Sequence, residues 1–303
     1  MIEAGPDPQR GSGPAFFRRR GVIIGCILLG SVVLSILPAT WFIQRFITFP
    51  NPRHSESNPR ARTDNGGEQL WLAADGARVE AWYLPPAVSS AHAPLIIYSH
   101  GNAELIDMRA GEFGAVRGAG FGVLLVEYPG YGRSGGSPSE ESLTAALVAG
   151  YDWAAHDRRI DPRRIVGYGR SLGGGSISQL AARRKLVALV LESTFYSFED
   201  VVRAYGVPRS LLLNHFDSGT VLKKFPGPVL ITHGTLDRVF PSANAARLAA
   251  ASGHAEIHLD VCGHNDCPEA WELVLSFLAR NGVCRNPDLE VHHDVDHENA
   301  GVC

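Results

Sequence analysis

The sequence has no excess of positive charge: 28 Lys and Arg face 31 Asp and Glu, giving a net charge of −3 and a pI near 6.5. No nucleic-acid surface is implied, because binding phosphates takes clustered cations. No CxxC pair occurs among Cys26, Cys262, Cys267, Cys284 and Cys303, which excludes the common zinc and dithiol redox patterns. There is no internal repeat, and Gly (33) and Pro (19) are spread out, so the chain is not of low complexity. Charged residues make up only 19% against 45% hydrophobic, and 303 residues allow one or two domains.

What is present begins with a long uncharged run. Residues 1–20, rich in Gly, Pro and Arg, read as a disordered stub. Gly21 to Ile43 then gives 23 residues without a charged side chain. At a rise of about 1.5 Å per residue it spans a hydrocarbon core of about 30 Å. Ser31, Ser35 and Thr40 can bond their own helix backbone, and Pro38 falls in the last turn. A cleaved signal would be shorter and end in small residues, unlike Pro38-Ala39-Thr40-Trp41. Arg19-Arg20 before the run loosely fits a twin-arginine signal, and a buried core helix is the other alternative. The reading adopted is a single-pass anchor over 21–43. Four Arg (10, 18, 19, 20) precede it within 15 residues and two (45, 53) follow within 15. The positive-inside rule then puts the N-terminus in the cytoplasm and the remainder outside. Trp41, Phe42, Phe46 and Phe49 are expected as an interfacial belt, and residues 44–68 as a linker.

From residue 69 the pattern changes to a domain expected over 69–282, about 210 residues and ample for one core. Leu70–Ala73 and Val79–Leu84 alternate apolar and polar around Asp75-Gly76, which predicts an antiparallel hairpin. Short apolar runs follow at Leu95–Tyr98, Val123–Glu127, Ile165–Tyr168, Val187–Leu191, Val229–Thr232 and Glu256–Leu259. Such runs suit strands buried on both faces of a parallel sheet. Helical signals lie between them: a capping box expected at Ser137 and Glu140, and a stripe from Ala270 to Leu278 closed by Gly282. The fold class is therefore α/β, a mostly parallel central sheet flanked by helices. Residues 194–225 are rich in aromatics without a clear strand, and read equally as a small lid or a connecting helix pair. Residues 283–303 read as a disordered tail; its His292, His293 and His297 with Asp294 and Asp296 suit solvation better than a metal.

Three turns carry the chemistry. Gly169-Arg170-Ser171-Leu172-Gly173 follows an apolar strand and precedes a helical segment expected over Ser176–Arg184. A turn that sharp forces the serine into a strained conformation and lifts its hydroxyl above the sheet edge. A hydroxyl needs a base, and the base an orienting acid. Asp237 lies in a tight loop after the strand Val229–Thr232, before a helix expected from Pro241. His264 lies in the last loop before the last helix, with His254 and His258 as fallbacks. Ser171, Asp237 and His264 are thus the candidate nucleophile, acid and base. The turn His100-Gly101-Asn102 follows another strand, so the Asn102 and Leu172 backbone N–H groups are the candidate oxyanion donors.

Together, His100-Gly101-Asn102-Ala103, Glu127 through Gly136, Gly169 through Gly174, His233 through Asp237 and Gly263-His264-Asn265-Asp266 resemble the α/β-hydrolase superfamily, and most of all its single-pass, membrane-anchored branch. The resemblance covers about residues 69–282 and implies the α/β-hydrolase fold, a serine nucleophile, and no metal or organic cofactor. Glu127 departs from it, since relatives more often carry Asp there. The expected activity is cleavage of ester, thioester or amide bonds in a small acylated or lipid-like substrate, with carboxylesterase, lipase or thioesterase chemistry foremost. A serine peptidase and a membrane-tethered binding module without activity remain alternatives. Oligomeric state is not legible. If the domain lies outside the cytoplasm, disulfides become available, and a Cys262–Cys267 bridge would brace the loop of His264; Cys284 and Cys303 are a further pair.

Overall fold

The structure is a computed structural model that describes residues 60–88, 92–203 and 208–284, together with 23–25, 27, 30, 31, 35, 44 and 48–50. It divides into two units, residues 1–47 and 48–303. In the first, the described residues are helical, and Ser31 and Ser35 donate to the carbonyls of Ile27 and Ser31 as expected. Most of the apolar run 21–43, with Trp41, Phe42 and Phe46, lies outside the described residues. So do the tail from 285 and Tyr205. Among the described residues no helix is long and apolar enough to cross a membrane.

The second unit is built on one eight-stranded sheet. Its strands are β1 (Glu68–Ala74), β2 (Ala77–Leu84), β3 (Ala93–Ser99), β4 (Gly122–Val126), β5 (Ile160–Arg170), β6 (Ala188–Glu192), β7 (Val229–Gly234) and β8 (Ala255–Asp260). The order across the sheet is β1-β2-β4-β3-β5-β6-β7-β8. β1 and β2 form the expected hairpin, β2 pairs antiparallel with β4, and every later pair is parallel. The apolar runs of β3, β4 and β7 are continuous because both faces are covered, whereas the run Glu256–Leu259, also expected to be buried, forms the edge strand β8 and leaves Ile257 and Leu259 exposed. Alternate residues point to opposite sides. Leu95 and Ile97 enter the layer beneath the helices Glu140–His156 and Leu172–Ala181, whereas Ile96 and Tyr98 enter the layer shared with Trp271–Arg280.

Three expectations about local structure shift. The capping box forms at Ser139 and Ser142, not at Ser137 and Glu140. Glu140 is drawn away: its carboxylate accepts from the His215 N–H at 2.6 Å, and its own N–H donates to Asn214 Oδ1 at 2.7 Å. Residues 44–68, expected as a linker, contain a short helix at Arg60–Asp64. Phe49, expected in an interfacial belt, is only 3% exposed and belongs to an apolar cluster of the second unit.

The segment 194–225 contains the helices Phe198–Arg203 and Ser218–Leu222 and a short 3-10 turn at Arg209–Leu211. Leu222 and Phe225 join the layer against the sheet, whereas Phe195 and Phe216 join the cluster at the carboxyl edge. The segment thus packs both on the sheet and on the cluster that holds Leu172.

Candidate active site

Every candidate residue stands at the carboxyl end of a strand, where a parallel sheet leaves a crevice. Ser171 ends β5 with φ 54° and ψ −119°, the strained elbow predicted from its flanking glycines. The helix begins at Leu172, earlier than expected. Small residues are required on steric grounds. A Cβ on Gly169 would overlap the Gly173 carbonyl, and one on Gly173 would overlap the carbonyl oxygens of Ser99 and His100. The nucleophile turn is therefore pressed directly onto the end of β3. The Ser171 N–H donates to the Glu192 carbonyl (2.9 Å), and Thr194 Oγ1 donates to the Ser171 carbonyl (2.7 Å).

Three loops distant in sequence meet at Ser171. Its Oγ lies 2.9 Å from His264 Nε2, and His264 Nδ1 lies 2.8 Å from Asp237 Oδ2. An ionised carboxylate only accepts, so the proton sits on Nδ1 and Nε2 is left to accept from the hydroxyl. Asp237 is buried, and its Oδ1 accepts from the N–H groups of Val239 and Phe240, both at 2.8 Å. His233 Nε2 lies 3.3 Å from Asp237 Oδ2 and 2.7 Å from the Phe240 carbonyl. As a carbonyl only accepts, His233 carries its proton on Nε2 and supports the acid. The fallbacks are elsewhere: His254 bonds the Gly227 carbonyl, and His258 bonds Asp260.

The oxyanion turn is held by charge. The Gly101 N–H donates to Glu104 Oε2 at 2.7 Å, and Ala103 takes a positive φ of 59°. Asn102 Oδ1 accepts from Tyr131 Oη at 3.0 Å, which fixes the side chain while leaving its own N–H out of that bond. Leu172 is the first residue of its helix, where an N–H has no acceptor in the helix itself. Gly173 against Ser99 and His100 keeps these two turns in contact.

Several residues in this frame are not legible as functional from the sequence. His100 Nδ1 faces the Gly101 carbonyl and Nε2 faces Glu127 Oε1, both at 2.9 Å and both pure acceptors when Glu127 is ionised. That arrangement favours the protonated ring. Burial opposes that charge, but the Glu127 carboxylate and its hydrogen bond outweigh it, so the His100 pKa is raised. Glu127 also accepts from the N–H groups of Ile106 and Tyr128. Arg170, the variable residue before the serine, is 6% exposed. Its guanidinium pairs with Glu104 and Glu192 and donates to the His264 carbonyl (3.1 Å) and Asn265 Oδ1 (2.9 Å). One side chain thus ties the oxyanion turn to the base loop. The Cys262–Cys267 disulfide closes that loop around His264, the bridge that the spacing allowed.

A polar cavity of about 220 Å³ adjoins His264, lined among others by Arg109, Glu112, Glu192 and Trp271. Burial pushes the Glu112 carboxyl up to about 7 against the pull of Arg109. The Phe240 ring stands edge-on to the imidazole at 5.3 Å. Among the described residues no cluster of His, Cys, Asp and Glu could hold a metal ion.

Known proteins are similar to this chain in sequence or in fold. No family model matches the chain. An uncharacterized protein of Mycobacterium tuberculosis strain H37Rv is 38% identical over 249 residues, covering 79% of this chain and 86% of its own length. The alpha/beta hydrolase domain-containing protein 17C of Xenopus tropicalis is 30% identical over 193 residues, covering 61% of this chain and 59% of its own. The crystal structure of a Pyrococcus furiosus esterase superposes with a TM-score of 0.60 at 18% identity, covering 76% of this chain and 96% of that one. The eight-stranded, mostly parallel sheet and this superposition show the α/β-hydrolase fold, and the chain shares a family with the Mycobacterium tuberculosis protein.

Proposed function

We propose that this protein is a serine hydrolase that cleaves ester, thioester or amide bonds through an acyl-enzyme on Ser171. The observation that carries the reading is the continuous proton path from Ser171 Oγ to His264 Nε2 (2.9 Å) and from His264 Nδ1 to Asp237 Oδ2 (2.8 Å). Acylation begins when Ser171 Oγ attacks the substrate carbonyl carbon and its proton passes to His264 Nε2. Asp237 holds the ring in the required tautomer and stabilises the imidazolium. The Asn102 and Leu172 N–H groups receive the oxyanion. Collapse of the tetrahedral intermediate breaks the bond to the leaving group, which takes the proton from Nε2. Water then repeats the sequence on the acyl-enzyme and releases the acid.

Carboxylesterase, lipase or thioesterase chemistry is favoured, in keeping with the fold shared with an esterase. The apolar run 21–43 is proposed as a single-pass anchor with its N-terminus in the cytoplasm and the hydrolase domain outside. A disulfide in the base loop suits an oxidising compartment.

The test is kinetic. Ser171→Ala is expected to lower turnover of p-nitrophenyl acetate by about 10⁶-fold, and Asp237→Asn by about 10⁴-fold. Undiminished turnover in Ser171→Ala would end the reading.

A further inference from the structure

The oxyanion turn and the segment after it carry a chain of charges that the proton path does not use. Glu104 Oε2 accepts from the Gly101 N–H at 2.7 Å, and Glu104 Oε1 pairs with Arg170. Arg109 ends the helix Ile106–Arg109 and points toward that same Oε2, but its Nε stops 3.9 Å away. The guanidinium is held by Glu112 instead, with Nη2 2.6 Å from Glu112 Oε2. Its Nε donates to Tyr98 Oη at 3.2 Å. One cation thus stands between two carboxylates. It touches Glu112 and is about 1 Å short of a hydrogen bond to Glu104.

Glu112 is crowded by like charge. Burial opposes its ionisation most, and Glu269 before the last helix, Glu104 in the oxyanion turn and Glu192 at the end of β6 oppose it too, while Arg109 favours it. Arg170, His233, Asp260 and His264 line the same cavity from β5, β7, β8 and the base loop. With its carboxyl raised to about 7, Glu112 gains and loses its proton near neutral pH.

We propose that Glu112 is a proton-operated positioning residue for the oxyanion turn, acting through Arg109. The inference rests on the serine-hydrolase reading and adds a regulation of the same site. Ionised Glu112 keeps Arg109 away from Glu104. A proton on Glu112 cancels the charge that holds the guanidinium. A partly buried cation without a counter-ion is costly, and the Glu104 carboxylate is only 3.9 Å off. Closing that gap draws Glu104 Oε2 from the Gly101 N–H and sets Arg109 against Arg170 for one carboxylate. The Asn102 N–H, next in the chain to Gly101, then leaves the position where it receives the oxyanion. A displacement of about 1 Å is enough to lower a rate by up to about 10²-fold.

The experiment measures kcat for p-nitrophenyl acetate from about pH 5 to about pH 9 on the full-length chain in detergent. Wild type, Glu112→Gln and the double variant Glu112→Gln with Arg109→Gln are compared. The readout is the ratio of wild type to variant at each pH, in which the titration of His264 cancels. Gln has the shape and charge of the protonated carboxyl at every pH. The ratio for Glu112→Gln is therefore expected to be about tenfold at the alkaline end and to approach about 1 at the acid end. Removing Arg109 as well leaves no cation to migrate, so the double variant should regain most of the alkaline loss. A merely structural role gives a ratio that does not change with pH and a double variant worse than the single one. Either result would overturn the proposal. If the double variant does not fold, the pH course of the Glu112→Gln ratio decides. Fluorophosphonate labelling of Ser171 in the wild type keeps the two readings apart. Labelling with a ratio constant in pH removes the role of Glu112 alone, and an unlabelled wild type removes the serine-hydrolase reading with it.

Discussion

The nucleophile turn and the two loops that face it are built by different means. At Gly169-Arg170-Ser171-Leu172-Gly173, backbone meets backbone, and the absence of side chains holds the geometry. At the oxyanion turn and the base loop, long charged side chains do the holding: Glu104 on the Gly101 N–H, Glu127 on His100, Arg170 on both loops, and a disulfide around His264. The first kind of support is steric and insensitive to pH or redox state. The second is electrostatic and covalent, and can be titrated or reduced. A site assembled this way holds Ser171 rigidly and its partners conditionally.

The largest effect should come from breaking the steric side. Gly173→Ala drives a methyl group into the Ser99 and His100 carbonyls, where no flexible side chain can give way. A loss of more than about 3 kcal/mol is expected, beyond the usual cost of overpacking. Denaturant unfolding measures it, and wild-type stability would remove the steric account.

Next comes Arg170. Arg170→Ala releases the base loop and the oxyanion turn together while leaving Ser171, His264 and Asp237 in sequence. A fall in kcat of about 10²-fold is expected from misplacement alone, with a smaller change in KM. Arg170→Lys should recover only part of it, because an ammonium cannot fork to several acceptors. Equal falls in kcat and in thermal stability across both variants would point to a purely structural role.

The titratable support is sharpened by pH. The folded state raises the His100 pKa, so its stabilising contribution is complete below the ordinary value near 6.5. It is lost as pH rises through the higher folded value. Melting temperature should therefore fall on the alkaline side in the wild type. Glu127→Gln, which removes the counter-charge, should melt lower at neutral pH and lie closer to wild type as pH rises. A gap between the two that stays constant with pH would contradict the imidazolium assignment.

The smallest effect belongs to the disulfide. Replacing Cys262 and Cys267 by Ser opens a short loop, which is expected to cost about 2 kcal/mol. Activity should fall less than about tenfold, because Arg170 still holds the His264 carbonyl. Intact mass with and without reductant checks the bridge itself, and two free thiols at these positions would remove it.

The same division decides how much the sequence reveals. Glycines at 169 and 173, a strand before and a helix after them identify the nucleophile turn locally. The strands were legible for the same reason: burial on both faces leaves apolar runs such as Ile165–Tyr168. Asp237 and His264 were legible by order along the fold and by their place after strands. Arg170, Glu104, Glu127 and His233 were not, since each acts through a partner that is distant in sequence or reached only by a loop's fold. A buried charge leaves no local pattern. Arg170 occupies a position where any residue satisfies the motif, and His100 reads as part of a turn until Glu127 is seen beside it. Phe49 misled for a related reason: an aromatic after an apolar run suits a membrane interface equally well, and only its contact with Phe216 places it in the domain.

The most direct measurement is to treat the purified full-length chain with a fluorophosphonate and locate the adduct by peptide mass spectrometry. One adduct per chain, on Ser171, lost in His264→Ala and slowed in Asp237→Asn, is the expected result. An unmodified Ser171, or equal modification at Ser171 with and without His264, would contradict the claim that an imidazole held by Asp237 activates this hydroxyl.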